Sequence, residues 1–213
     1  MRNALIAVVV LSSLAFAQGP APSATKAKKV SSVTTVAHDK ASALKPPAGS
    51  KVAIVIFEDL QCPDCARAHP LVKEVAKAQG VPVVRHDFPL PKHDWSFQAA
   101  VIARYFETKS EKLAEGWRMY CYTHQEELTP DNLTQNAKKF ADANNVQLPF
   151  VMDPDGKLAA KVKADFALGQ KIGIQHTPTI WVVGNTSTAE PFVEVVDRSQ
   201  MSALVDKMKR AAK

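Results

Sequence analysis

Cysteine is scarce in this chain: Cys62, Cys65 and Cys121 are the only three in 213 residues. So few cannot staple a small disulfide-built fold. Glycine and proline are also sparse, at 8 and 14 residues, which excludes a collagenous or low-complexity chain. Aromatics make up 7% and do not interleave with basic residues in any nucleic-acid motif, so nucleic acid is not an expected partner. No apolar run reaches the roughly 20 residues that a membrane-crossing helix needs. No internal repeat, second Cys-x-x-Cys or His pair is visible. What remains is 46% hydrophobic and 23% charged residues with a net charge of +6, the balance of one globular domain with room for an insertion.

The N-terminus reads as a targeting segment. Met1 to Asn3 carries one positive charge, Ala4 to Leu14 is apolar apart from Ser12 and Ser13, and Ala15-Phe16-Ala17 offers small residues to a signal peptidase. This is the secretory pattern, with cleavage expected after Ala17 and a mature protein in the periplasm or outside the cell. An uncleaved anchor is the alternative. Residues 18–50 are rich in Ala, Pro, Ser, Thr and Lys and read as a tether, with a short strand expected around Val30 to Val36. The basic knot Lys26, Lys28 and Lys29 is a solvated patch or a contact to anionic lipid.

Beyond the tether the periodicity changes. Lys51 to Glu58 (KVAIVIFE) is continuous and β-branched, as a strand buried on both faces should be. Pro63 suits the first turn of a helix running to about Gln79, ended by Gly80 and kinked at Pro70. A second strand is expected over Val81 to Phe88. Four helices follow: Asp94 to Lys109, Ser110 to Glu127, one from Thr129-Pro130-Asp131 to about Asn144, and one after Asp153-Pro154 with Leu158, Val162, Phe166 and Ile172 on one side. Strands at Thr179 to Val183 and Phe192 to Val196 and a helix over Ser199 to Ala212 complete the chain. The order β-α-β, helical block, β-β-α is that of an α/β thioredoxin fold with an inserted helical domain between its halves. The expected divisions are 1–17 signal, 18–50 tether, 51–92 and 173–213 thioredoxin-fold domain, and 93–172 helical insertion.

Cys62-Pro63-Asp64-Cys65 lies where strand meets helix. Cys62 falls at the helix N-terminus, where unpaired backbone N–H groups and the positive end of the dipole favour a thiolate. Cys65, one turn inside, is shielded and close enough to bond Cys62. This makes Cys62 the attacking thiol and Cys65 the resolving one. Two other readings stay open at this stage. One is a permanent structural disulfide, a poor staple because the loop is so short. The other is a metal module using Cys62, Cys65 and His69, with a fourth ligand from Glu58 or His176. His69 otherwise reads as a solvated helix residue. Cys121 reads as a buried small apolar residue, with mixed-disulfide or dimer chemistry as the alternative.

The segment Phe57-Glu58-Asp59-Leu60-Gln61-Cys62-Pro63-Asp64-Cys65 resembles the active-site stretch of DsbA-like thiol-disulfide oxidoreductases of the thioredoxin superfamily. Pro70 matches their helix-kinking proline, Asp87-Phe88-Pro89-Leu90 to Ala99-Ala100 their entry into the inserted helices, and Gly173-Ile174-Gln175-His176-Thr177-Pro178-Thr179 their cis-proline loop. The resemblance covers roughly Val52 to Met208. It implies a cis peptide at Thr177–Pro178 beside Cys62, with Thr177 and Pro178 as the rest for an extended substrate segment. It implies tuning of the cysteines by Pro63, Asp64 and Glu58. Two positions depart from the family. Ile56 stands where many members carry a buried acid, so Glu58 or Asp59 is expected either to serve instead or to sit solvated at the strand end. Asp64 stands where strongly oxidising relatives have His, and its charge should oppose the Cys62 thiolate and make a milder oxidant.

The resulting expectation is an exported thiol-disulfide oxidoreductase that exchanges a Cys62–Cys65 disulfide with thiols of cysteine-containing exported proteins, chiefly as an oxidant. It needs no cofactor, is reset by a membrane redox partner and acts as a monomer. An isomerase or reductase kept reduced by such a partner, and the metal-binding module, are the alternatives.

Overall fold

The computed structural model describes residue 40, residues 44–185 and residues 190–212. The expected signal segment and the strand around Val30 to Val36 lie outside the described residues. A four-stranded mixed sheet forms the centre, in the order β2-β1-β3-β4. Its strands are β1 (Val52–Glu58), β2 (Val83–Asp87), β3 (Thr179–Gly184) and β4 (Phe192–Glu194). β1 is parallel to β2 and antiparallel to β3, and β3 is antiparallel to β4. Helix α1 (Pro63–Gln79) joins β1 to β2. Helices α2 (Ser96–Glu107), α3 (Glu111–Thr123), α4 (Leu133–Ala143) and α5 (Lys157–Ile172) stand between β2 and β3, and α6 (Met201–Ala211) closes the chain.

The unbroken apolar run of β1 has a simple cause. All seven residues are buried, because helices cover both faces of the sheet. Side chains alternate across a strand. Val52, Ile54 and Ile56 therefore pack with Ala68, Val72 and Val75 of α1 and Met201, Val205 and Met208 of α6. Val55 and Phe57 pack on the opposite side with Phe88, Trp181, Ile172 and Phe166. β2 is an edge strand, only half-buried except at Asp87. It begins later than its sequence suggests, because Val81 is used to end α1: its N–H donates to the Ala76 carbonyl while Gly80 adopts φ 58°. Residues without a Cβ penalty are favoured in that left-handed position.

α5 lies close enough to the sheet that only glycine fits at one contact. A Cβ on Gly169 would stand 2.5 Å from the Phe88 ring and 3.1 Å from Phe57. The Phe88 ring is itself stacked on Phe166 at 4.6 Å and set edge-on to Phe57, so it has little room to yield. Elsewhere the helices follow local signals. Asp153 caps α5 by accepting from the N–H groups of Leu158 and Ala159, both at 2.9 Å. Ser110 caps α3 by accepting from Leu113 at 3.1 Å. α2 starts at Ser96 rather than Asp94, because Asp94 and the Trp95 N–H are both engaged by Gln61.

The insertion has its own core of Trp95, Ile102, Phe106, Trp117, Cys121 and Leu133, into which Leu60, Cys62 and Cys65 also pack. It is also tied to the sheet by ion pairs. Glu58 and Asp87 are direct register partners at the ends of β1 and β2. Arg118 of α3, 4% exposed, reaches between them, with Nη1 at 3.1 Å from Glu58 and 2.8 Å from Asp87. Arg85 takes the second Glu58 oxygen at 2.9 Å, and Arg104 of α2 the second Asp87 oxygen at 2.6 Å. Both carboxylates are buried, so each depends on these cations to offset the cost of its desolvation.

Two stability outcomes follow from these contacts. Gly169→Ala gains less than about 1 kcal/mol of helix propensity but overpacks the Phe88 ring, for a net loss of about 1–2 kcal/mol. Arg118→Leu leaves Glu58 and Asp87 facing each other and lowers stability by about 3–5 kcal/mol. Urea unfolding of both variants measures this. An unchanged midpoint for either refutes the contact assigned to it.

Candidate functional site

Cys62 is the N-cap of α1, with extended backbone (φ −81°, ψ 119°) and no side-chain cap bond. Pro63 occupies the first helical position, where its missing N–H costs nothing. Cys62 is 7% exposed and Cys65 1%, and both are free thiols in this structure. The Cys62 thiol donates to the Thr177 carbonyl at 3.3 Å. The Thr177–Pro178 peptide is cis, and both residues are buried at the entrance to β3. The structure thus brings Cys62, Cys65, Thr177 and Pro178 together across 115 residues of chain.

The two sulfurs have opposite environments. Cys62 has its pKa lowered from 9.0 to about 5. The hydrogen bond from Cys65 contributes most, followed in the same sense by the Thr177 side chain and by the N–H groups of Cys65 and Asp64, while burial opposes them. The Thr177 hydroxyl is buried and has no hydrogen-bond partner among the described residues. Cys65 is pushed well above the usual thiol range, first by burial and then by its neighbour Cys62. One N–H does favour its sulfur, that of Asp59 at 3.4 Å. Cys121 is also fully buried, and burial raises its pKa too. It belongs to the core of the insertion.

Several expectations need correction. Glu58 and Asp59 are not solvated at the strand end. Glu58 is held by Arg85 and Arg118. Asp59 accepts from the N–H groups of Gln61 and Leu90 and from Ser96, and pairs with His93 at 2.7 Å. The position of the family's buried acid is filled by Ile56, inside an apolar cluster. His69 is neither solvated nor joined to the cysteines. It is fully buried, with Nε2 at 2.9 Å from Glu115 of α3. His176, the other possible metal ligand, is exposed. Among the described residues no three His, Cys, Asp or Glu side chains gather to hold a metal. A groove of about 800 Å³ lined by Lys73, Arg85, Glu115 and Arg118 lies beside the ionic network, not at the cysteines.

Asp64 does not stand free against the Cys62 sulfur. Arg198 grips it with both terminal guanidinium nitrogens, Nη1 at 3.0 Å, and Arg67 adds a contact at 3.1 Å. These partners, Arg198 first, lower the Asp64 pKa. Two further residues escaped the sequence reading. Gln125 donates to the carbonyls of Leu60 and Cys62 at 2.9 and 3.0 Å, holding the loop that carries Cys62. It can do so because α3 stops at Thr123 instead of running to Glu127. Neither Gln125 nor Arg198 sits in a local pattern that signals its role, since each acts 60 residues or more from its own place in the chain.

The sequence model of a family described as thioredoxin matches residues 48–207. Among curated proteins, a Na(+)/H(+) antiporter NhaA 3 of Salinispora tropica is 27% identical over 165 residues, 75% of this chain. The chain spans only about a quarter of that protein, 24% of its length. Among solved structures, the thiol-disulfide exchange protein alpha-DsbA2 of Wolbachia pipientis superposes with a TM-score of 0.64 at 15% identity, covering 86% of this chain and 99% of that one. A linker-deleted ScsC of Proteus mirabilis gives 0.64 at 18% identity, covering 87% of each. A periplasmic thioredoxin-like protein of Salmonella enterica serovar Typhimurium gives 0.60 at 18% identity, covering 76% of this chain and 87% of that one. At such identities the likeness is one of fold, a thioredoxin sheet with inserted helices.

The depressed Cys62 pKa has a thermodynamic consequence. An acid weaker unfolded than folded adds stability above its unfolded pKa, and that stability is lost as pH falls through the folded pKa. For the reduced protein, the advantage over Cys62→Ser should be complete above pH 9, shrink on acidification and vanish below about pH 5. Urea unfolding of both proteins across that range tests it, and a pH-independent difference refutes the thiolate assignment.

Proposed function

This chain belongs to the thioredoxin family, and from that premise we propose that it is an exported thiol-disulfide oxidoreductase acting chiefly as an oxidant of protein thiols. The observation that carries the reading is the asymmetry of the pair. An acidic Cys62 faces the Thr177 carbonyl, and a more deeply buried, weakly acidic Cys65 lies one turn behind it.

In the oxidised enzyme a substrate thiolate attacks the Cys62 sulfur. The Cys62–Cys65 bond breaks, a substrate–Cys62 disulfide forms, and Cys65 leaves with the electron pair and takes up a proton. A second substrate thiolate then attacks the substrate sulfur of that mixed disulfide, and Cys62 departs as a thiolate. Two electrons have passed from the substrate to the cysteine pair. Cys62 leaves readily because its conjugate acid is strong, and stabilising its thiolate stabilises the reduced enzyme, which is what makes a dithiol pair oxidising. Thr177 and Pro178 offer backbone beside Cys62 against which an extended substrate segment can pair. Pro63, Asp64 and Glu58 tune the pair, and a membrane redox partner restores the disulfide.

Export rests on the hydrophobic segment Ala4 to Leu14 and the Ala15-Phe16-Ala17 site, and it is consistent with the compartment named for the Salmonella structure. Among the described residues no helix is long and apolar enough to cross a membrane.

The roles of the cysteines are separable. Reduced Cys65→Ser protein mixed with a disulfide-containing peptide should accumulate a covalent adduct through Cys62, because no neighbouring thiol is left to resolve it. Cys62→Ser should accumulate almost none. Mass spectrometry of the adducts decides the assignment, and equal trapping by the two variants, or trapping through Cys121, overturns it.

A further inference from the structure

Asp64 is the one acidic side chain within the Cys-Pro-Asp-Cys turn, and Arg198 is bound to it from 134 residues away. Arg198 opens a short 3₁₀ turn over Arg198–Gln200. Asp197 fixes that turn by accepting from the Ser199 N–H at 2.9 Å and from its hydroxyl at 2.8 Å. The turn is anchored to the sheet just upstream, where the Val195 N–H donates to the Ile180 carbonyl at 2.8 Å. Ile180 lies two residues after Pro178. One short segment therefore holds a guanidinium against the N-terminus of α1 while being tied to the strand that follows the cis-proline loop.

The other charged groups near the cysteines are already occupied or turned to solvent. Glu58 is committed to Arg85 and Arg118. Asp59 is saturated by Gln61, Leu90, His93 and Ser96. Arg67 has a mostly exposed side chain and touches one Asp64 oxygen. His176, on the cis-proline loop, is exposed. The insertion presents Gln125, which carries no charge. Asp64 and Arg198 are thus the charged pair of the turn itself, and Arg198 interacts electrostatically with both cysteines.

We propose that Arg198 is a positioning residue that sets the acidity of Cys62 by occupying Asp64, so that the turn presents no net charge to the sulfur. This rests on the thiol-exchange reading above. In water-facing surroundings a lone carboxylate near a thiolate would raise its pKa, and a lone guanidinium would lower it. Held as a two-pronged pair the two nearly cancel, and the hydrogen bond from Cys65 together with the backbone N–H groups then sets the acidity. Arg198 is thereby the element that lets this turn carry an acid between its cysteines and still hold a thiolate.

The test is a charge cycle read by thiolate absorbance against pH and by equilibrium with glutathione. Arg198→Met should move the Cys62 midpoint up by about half a pH unit, and Asp64→Asn should move it down by about as much. The doubly substituted protein should return to within about a quarter of a unit of the parent, since both charges are gone. Arg198→Lys keeps the charge without the fork and should move the midpoint less than Arg198→Met does. The glutathione equilibrium of Arg198→Met should shift several-fold toward the disulfide form. A merely structural role for Arg198 would lower the urea midpoint and leave the thiolate midpoint in place. That result, or single substitutions that move it in the same direction, overturns the proposal. Disulfide exchange by the parent protein is measured alongside. A parent with an acidic Cys62 but no exchange with peptide thiols overturns the functional reading, while the charge cycle still decides the role of Arg198.

Discussion

Two carboxylates stand side by side at the ends of two parallel strands, and the buried guanidinium of Arg118 makes that arrangement possible. Glu58 and Asp87 are register partners, and both are removed from water. Without a cation between them their repulsion and desolvation would oppose the very strand pairing that builds the centre of the sheet. Arg118 comes from α3, so the requirement can be met only when the helical insertion is docked. Arg104 and Arg85 extend the same logic to α2 and β2. The insertion is thereby held to the sheet by a directional ionic contact as well as by apolar packing, and the end of α3 is delivered to the cysteines.

That delivery matters because the site is a seam. Cys62 and Cys65 pack into the core of the insertion, yet they are carried by a helix whose apolar face belongs to the sheet. Gln125, just past the end of α3, ties the carbonyls of Leu60 and Cys62 to the insertion. Thr177 approaches from the sheet side. Insertion and sheet each contribute a hydrogen bond to one loop, so the position of Cys62 follows from the docking of the two.

The difference between the two sulfurs arises from one turn of helix. At the N-cap, the hydrogen bond from Cys65 and then the free N–H groups of the first turn favour the charged form of Cys62. Three residues on, Cys65 meets burial and the charge of Cys62 instead. The same turn therefore gives one thiol that departs easily and one that holds its proton. Asp64, lying between them in sequence, would upset this balance if it were alone.

The elements of the fold were legible from the sequence because each has a local cause. The β-branched run of β1, Pro63 and Gly80 at the two ends of α1, and the capping residues Ser110 and Asp153 all act within a few residues of where they stand. The Cys-x-x-Cys turn at a strand-to-helix junction and the late Thr177-Pro178 before a strand were readable for the same reason. What the sequence could not display were the partners of its charges. Glu58, Asp59, Asp64 and His69 each look solvated when read locally, since an isolated charge belongs in water. Whether Glu58 is buried depends on Arg118, 60 residues on, and the field of Asp64 on Arg198, 134 residues on. Local structure is dictated by sterics and backbone hydrogen bonding between near neighbours, and so is written in the sequence. Electrostatics acts through space, and only the tertiary structure decides which charges meet.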